Sequence, residues 1–251
     1  MIEALEERAT PTGGFGYAFG LGGAGGDTVN RVVADSLGNV YVAGSFSSTV
    51  DIDPGPEVFN LTNTGGTDGF LAKYAPDGSL VWADQIPDTT PTNFSRFALA
   101  IDTGGGIYLT GGQAGSAFVS KYTESGDLAW TRTLGGSGTA SGTGIAVDAT
   151  GNVFTTGVYS GGTIDLDPGS GTFIKSADGT SPNSYISKLD SSGNFVWGGA
   201  FEGQPMTSSW IIAGDMVMDQ EENLYITGTF VGTVDFEPGS GTVLKTASST
   251  N

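Results

Sequence analysis

The sequence predicts an all-β protein assembled from a repeated, four-stranded antiparallel unit, and three observations carry that prediction. Glycine fills 43 of the 251 positions, well above the usual ~7%. Only 14% of the residues are charged, so the composition is that of strands and turns rather than of surface helices or charge-rich disorder. The apolar runs are short, about five residues each, and are separated by Asp-Gly, Ser-Gly or Gly-Asn turns, as in a meander of strands. Finally, the runs recur, which makes each set of them a unit that stacks against its own copies.

The first two strands of the unit come from one repeated segment. Residues 33–44, with Asp35, Gly38, Asn39, Tyr41 and Gly44, return as residues 146–157, with Asp148, Gly151, Asn152, Phe154 and Gly157. Looser copies lie at 100–111 and 217–228, which bring Asp102 and Asp219 to the same place. An aspartate that appears once per unit at a turn is expected to satisfy backbone donors there rather than to catalyse. The third and fourth strands come from a second segment: Phe70, Lys73 and Tyr74 followed by Trp82, then Phe118, Lys121 and Tyr122 with Trp130, then Tyr185, Lys188 and Leu189 with Trp197. The lysines read as architectural. The tryptophans are expected to pack between neighbouring sheets, each burying roughly 150–250 Å² of ring.

Three of the four units carry an insertion between their second and third strands. Residues 49–55, 163–169 and 233–239 share a Thr-Val/Ile-Asp-x-Asp/Glu-Pro-Gly pattern, whereas the second unit has none. Proline fixes φ and the following glycine admits positive φ, so each insertion reads as a hairpin turning at Pro-Gly and projecting from the edge or one face of its own sheet. Four-stranded antiparallel sheets repeated around an axis make a β-propeller. The expectation is therefore a β-propeller of about four blades, with hairpin insertions in three.

The ends depart from the pattern. The last unit stops at Asn251 after its insertion, without the lysine strand or the tryptophan strand. Residues 15–23 supply a tryptophan-type outer strand with no unit before it, Tyr17 standing where Trp130 stands in residues 130–136. Three arrangements follow: closure of a ring, with the last hairpin standing in for the missing strand; a fragment of a longer propeller; or pairing of open edges between molecules, the outcome that exposed strands invite. Residues 1–14 read as an N-terminal extension and residues 15–251 as one propeller-repeat domain.

Taken together, the Asp turn, the lysine strand and the tryptophan strand resemble the bacterial SBBP-type β-propeller repeat over nearly all of the chain from Phe15 onward. The resemblance implies an extracellular or cell-surface module without catalytic activity that binds a protein or a cell-surface glycan.

Charge and composition narrow the function further. Nine basic against 27 acidic residues leave a net charge of −18, which repels nucleic-acid backbones and anionic lipid headgroups. No apolar run approaches the ~18–20 residues of a membrane span. The chain has neither cysteine nor histidine, which removes thiolate chemistry, the usual general base and the commonest metal ligand. The carboxylates two apart in each insertion, Asp51 with Asp53, Asp165 with Asp167 and Asp235 with Glu237, would share a face if extended, and that pairing suits Ca²⁺. Their other reading is a turn held by side-chain hydrogen bonds to its own backbone. Trp210 breaks the repeat; with Phe94, Arg96 and Phe97 it marks connections where a ligand, a sugar among them, would stack. The function expected is thus a non-enzymatic interaction or structural module, with a lectin or a carboxylate-dependent carbohydrate-active enzyme as the alternative.

Overall fold

The computed structural model describes residues 18–63, 65–87, 97–177, 181–204 and 208–248, and among them every regular element is a β-strand. The chain divides into two compact bodies, Met1–Asn93 and Phe94–Asn251.

In the first body, β1 (Gly22–Gly23) precedes β2 (Asp27–Ala34) and β3 (Val40–Phe46). A short hairpin, β4 (Thr49–Asp51) and β5 (Asn60–Thr62), leads to β6 (Asp68–Tyr74) and β7 (Leu80–Ile86). The main sheet runs β2-β3-β6-β7, antiparallel throughout, and β1-β4-β5 form a smaller sheet. The two central strands are buried almost end to end, whereas β2 and β7 keep exposed positions. Val42, Phe46, Phe70, Ala72 and Tyr74 therefore meet Val50 and Ile52 of the hairpin in one core.

The second body begins with β8 (Ala98–Ile101), β9 (Ile107–Gln113), β10 (Ser116–Tyr122) and β11 (Leu128–Leu134). It continues with β12 (Thr139–Val147), β13 (Val153–Ser160), the hairpin β14 (Thr163–Asp165) and β15 (Ile174–Ser176), then β16 (Asn183–Leu189) and β17 (Phe195–Gly203). The last repeat supplies β18 (Trp210–Met218), β19 (Leu224–Val231) and the hairpin β20 (Thr233–Asp235) and β21 (Leu244–Thr246). Strands β8 to β11 form one four-stranded sheet, and β12, β13, β16 and β17 form another. Strands β18 and β19 stand alone as a pair. The sheets of this body lie side by side, with β12 packed against β8 and β9 on one hand and β18 on the other. Buried hydroxyls fasten the contact: Thr143 Oγ1 donates to the Ala213 carbonyl at 2.8 Å and Ser184 Oγ to that of Ile211 at 3.1 Å.

The turn between the first two strands explains why the Asp-x-x-Gly-Asn pattern recurs. Asp35 Oδ1 accepts the backbone N–H of Leu37 and Asn39, both at 2.9 Å, and Oδ2 accepts Asn39 Nδ2 at 2.7 Å. Gly38 sits at φ 85°, a conformation that costs glycine nothing. Asp148 and Asp219 repeat these bonds with Asn152 and Asn223, so the recurring aspartates are turn staples, as their periodicity predicts.

Two sequence expectations are corrected. The insertion hairpins do not project from their own sheets. Each pairs with the end of the outer strand of the preceding repeat: Gly22 with Asp51, Gly135 with Asp165, and Glu202 with Asp235. Their apolar residues Val50, Ile164 and Val234 are buried in the process. The last hairpin consequently pairs with β17 and does not replace the missing strand beside β19. The tryptophans, in turn, lie edge-on against an aromatic ring of their own sheet, a neighbour that the sequence did not name. Trp82 meets Tyr41, Trp130 meets Tyr108 and Trp197 meets Phe154, with centroids 6.3–6.4 Å apart. Trp130 also reaches a neighbouring sheet, donating from Nε1 to the Ser191 carbonyl at 3.3 Å. As to the propeller, two sheets have four strands, the third repeat's four strands extend through the last hairpin into a six-stranded sheet, and β18 and β19 form a two-stranded one.

Candidate functional site

Each complete sheet carries a row of four side chains across neighbouring strands. In the first sheet Lys73 pairs with both Tyr41 and Trp82, in the second Lys121 pairs with Tyr108 and Trp130, and in the third Lys188 pairs with Phe154 and Trp197. The ammonium lies over the ring of the second strand at 5.2, 5.0 and 4.6 Å. The turn aspartate ends the row. Tyr41 and Tyr108 donate their hydroxyls to Asp35 and Asp102 at 3.3 and 2.8 Å, and where phenylalanine replaces tyrosine, Lys188 reaches Asp148 directly at 3.6 Å.

The row sets the local electrostatics. Burial by itself would raise the Asp148 carboxyl, but the Asn152 and Thr150 side chains and backbone outweigh it and hold the group below its ordinary range. Asp219 is also held low, first by the Asn223 side chain and then by its backbone N–H. Burial, then the adjacent Asp102, pushes the Tyr108 hydroxyl up. These groups are therefore fixed in one protonation state near neutrality, as structural acceptors and donors.

The fourth repeat contains only half of the row. Tyr225 donates its hydroxyl to Asp219 at 3.1 Å and is 56% exposed. Among the described residues β19 pairs with β18 alone. An apolar cleft of about 210 Å³ is lined by Phe201, Ile211, Ile226, Gly228, Phe230 and Phe236. Gly228 is the counterpart of Gly44 and Gly157. A Cβ on Gly44 would come within 2.6 Å of the Phe70 ring, and one on Gly157 within 2.6 Å of the Tyr185 ring. On Gly228 it would meet only the backbone of β18, at Ile212 and Ala213. The ring that covers this glycine in the complete sheets is missing here.

Of the ligand-stacking residues expected from the sequence, Phe94 and Arg96 lie outside the described residues. Phe97 is 1% exposed and packs edge-on to Phe118. Trp210 is half-buried and is the first residue of β18, opposite Val231, rather than part of a connection between sheets. The structure does not bring Phe97 and Trp210 together in any cleft that it describes.

The insertion carboxylates are half-buried and point at their own backbone. Asp51 Oδ1 accepts the N–H of Asp53 and Phe59 at 3.1 and 2.9 Å, and Asp53 Oδ1 accepts that of Gly55 at 2.7 Å. Asp165 with Asp167, and Asp235 with Glu237, repeat the pattern. Ca²⁺ takes roughly six to eight oxygen ligands. No group of three Asp or Glu able to hold an ion occurs among the described residues. No helix among them is long and apolar enough to cross a membrane.

The sequence is similar to known proteins in part. Over 210 residues, 66% of the chain, the sequence is 26% identical to an uncharacterized WD repeat-containing protein of Acanthamoeba polyphaga mimivirus, of whose length it spans 15%. Residues 21–45 and 129–158 match the family model of the SBBP beta-propeller repeat. Both stretches run from the tail of an outer strand, through a first strand, into a second, so in these segments the chain is similar to SBBP beta-propeller repeats.

Proposed function

We propose that this chain is a non-enzymatic interaction module that works outside the cell and engages protein partners. The observation that carries the reading is the apolar cleft of about 210 Å³ that Phe201, Ile226 and Phe236 help to line. Similarity to beta-propeller repeats and to a WD repeat-containing protein supports it. So does the engagement of the recurring carboxylates as backbone acceptors at turns. The extracellular setting rests on the kind of protein that the repeats resemble.

The test compares the wild-type chain with Ile226→Arg, which places a charge in the cleft. A protein retained by the wild type and released by the variant is the expected result. Substrate turnover by the purified chain would overturn the reading, as would saturable glycan-array binding that disappears in Trp210→Ala.

A further inference from the structure

We infer that Thr155, Tyr185 and Ser187 form a buried polar site that binds a water molecule inside the third repeat, at positions where the first repeat has only apolar side chains. The site stands apart from the interaction reading above.

Register brings the three residues together. Thr155 on β13 stands opposite Ser187 on β16, and Gly157 stands opposite Tyr185. Side chains two apart along a strand share a face, so all three hydroxyls belong to the face from which Tyr185 packs with Val153 and Leu189. Each of the three residues is 0% exposed. Among the described residues no donor or acceptor bonds to the Tyr185 hydroxyl, Thr155 Oγ1 or Ser187 Oγ. Burial pushes the Tyr185 hydroxyl up, and the Thr155 side chain lies near enough to pull it back, yet the two complete no hydrogen bond with each other. Polar neighbours that do not bond directly are the partners a bridging water joins.

The other repeats show how unusual this core is. In the first sheet the same positions are Val42, Phe70 and Ala72, all buried and all apolar. In the second they are Leu109, Phe118 and Ser120, and the single hydroxyl, on Ser120, bonds to Thr131 of the next strand. The third sheet has Gly198 where the second has Thr131. A Cβ on Gly198 would come within 2.8 Å of the Leu166 side chain, so that neighbour supplies Ser187 with no hydroxyl. Three hydroxyls thus occupy one core face, and each, left alone, would carry the full desolvation penalty of a buried group without a partner. Buried waters typically make about three hydrogen bonds to groups of this kind. One water among the three hydroxyls matches that number.

The test copies the first sheet into the third. In the triple variant Thr155→Val, Tyr185→Phe, Ser187→Ala the site has no hydroxyl. Oxygen-17 magnetic relaxation dispersion of the solvent counts long-lived internal waters in the whole chain, and the triple variant is expected to hold at least one fewer than the wild type. An unchanged count overturns the inference. Thermal unfolding gives a second readout, which decides the matter by itself if the triple variant does not fold. Tyr185→Phe alone removes one partner of the water and should lower the melting temperature by about 2–4 °C, the shift that one net hydrogen bond makes in a chain of this size. A melting temperature that rises or stays level overturns the inference, because deleting a hydroxyl that nothing satisfies relieves its desolvation penalty. The folded triple variant should recover the loss seen in Tyr185→Phe. A loss equal to the sum of the three single substitutions would make the hydroxyls independent of one another and overturn the shared site.

Discussion

The third and fourth repeats begin from the same turn pattern and end in different states. Phe154 on β13 is 7% exposed, whereas Tyr225, its counterpart on β19, is 56% exposed. Along β13 most positions are buried; along β19 none is. The segment that forms the first two strands is therefore sufficient to fold its Asp-stapled turn, which is as complete at Asp219 as at Asp148. It is not sufficient to build a core. Burial comes from the third and fourth strands, which bring the aromatic ring over the glycine and the lysine and tryptophan over the second strand.

The largest expected effect tests this division directly. Tyr108 is 0% exposed, and Tyr108→Ala is expected to cost about 3–5 kcal/mol, the range for deleting a large buried aromatic side chain. Tyr225→Ala should leave the urea midpoint unchanged. Equal losses would break the comparison. Next comes the staple. Asp148→Ala removes acceptors for Thr150 and Asn152 together with the contact to Lys188, and is expected to cost about 1–3 kcal/mol. Asp219→Ala, at an exposed turn without a lysine strand, should cost less, and urea unfolding of the two variants side by side measures the difference.

Acid should then weaken the fold. Asp35, Asp148, Asp190 and Asp219 are all held below the ordinary carboxylate range by hydrogen bonds to the ionised form. Groups depressed in the folded state contribute stability above their unfolded value, near ~3.9. That contribution is lost as the pH falls through the folded values. A melting temperature that declines from pH 5 toward pH 3, less steeply in Asp148→Asn, is the expected outcome; a flat profile would remove the staples from the account. The smallest effect is expected from calcium. With the insertion carboxylates bonded to their own backbone, EDTA should not move the melting curve. A rise on adding Ca²⁺ would restore the calcium reading through linkage of binding to folding.

Much of this was legible in the sequence because the determinants are local. The Asp-x-x-Gly-Asn turn, the period-two strands around it and the glycine facing an aromatic residue all lie within single segments. The destinations of Trp82 and Trp197 were not, since a large ring announces that it packs but not against what. Nor was the pairing of Val234 and Asp235 with Gly203 and Glu202, because a three-residue strand carries too little pattern to name its neighbour. The candidate site was the hardest to read. Tyr225 and Gly228 look ordinary in sequence, and only the cleft that Gly228 lines and the exposure of Tyr225 set them apart. Trp210, which stood out by breaking the repeat, proves to be an edge residue of β18.

The backward reach of the hairpins gives the molecule a direction. Because each one fastens the rim of the sheet made before it, a repeat emerging from the ribosome stays unfastened at its outer strand until the next repeat's hairpin has also been synthesised. Order of translation and order of completion are thereby offset by one repeat, and truncating the chain between two repeats would unlatch the sheet left behind rather than the one removed.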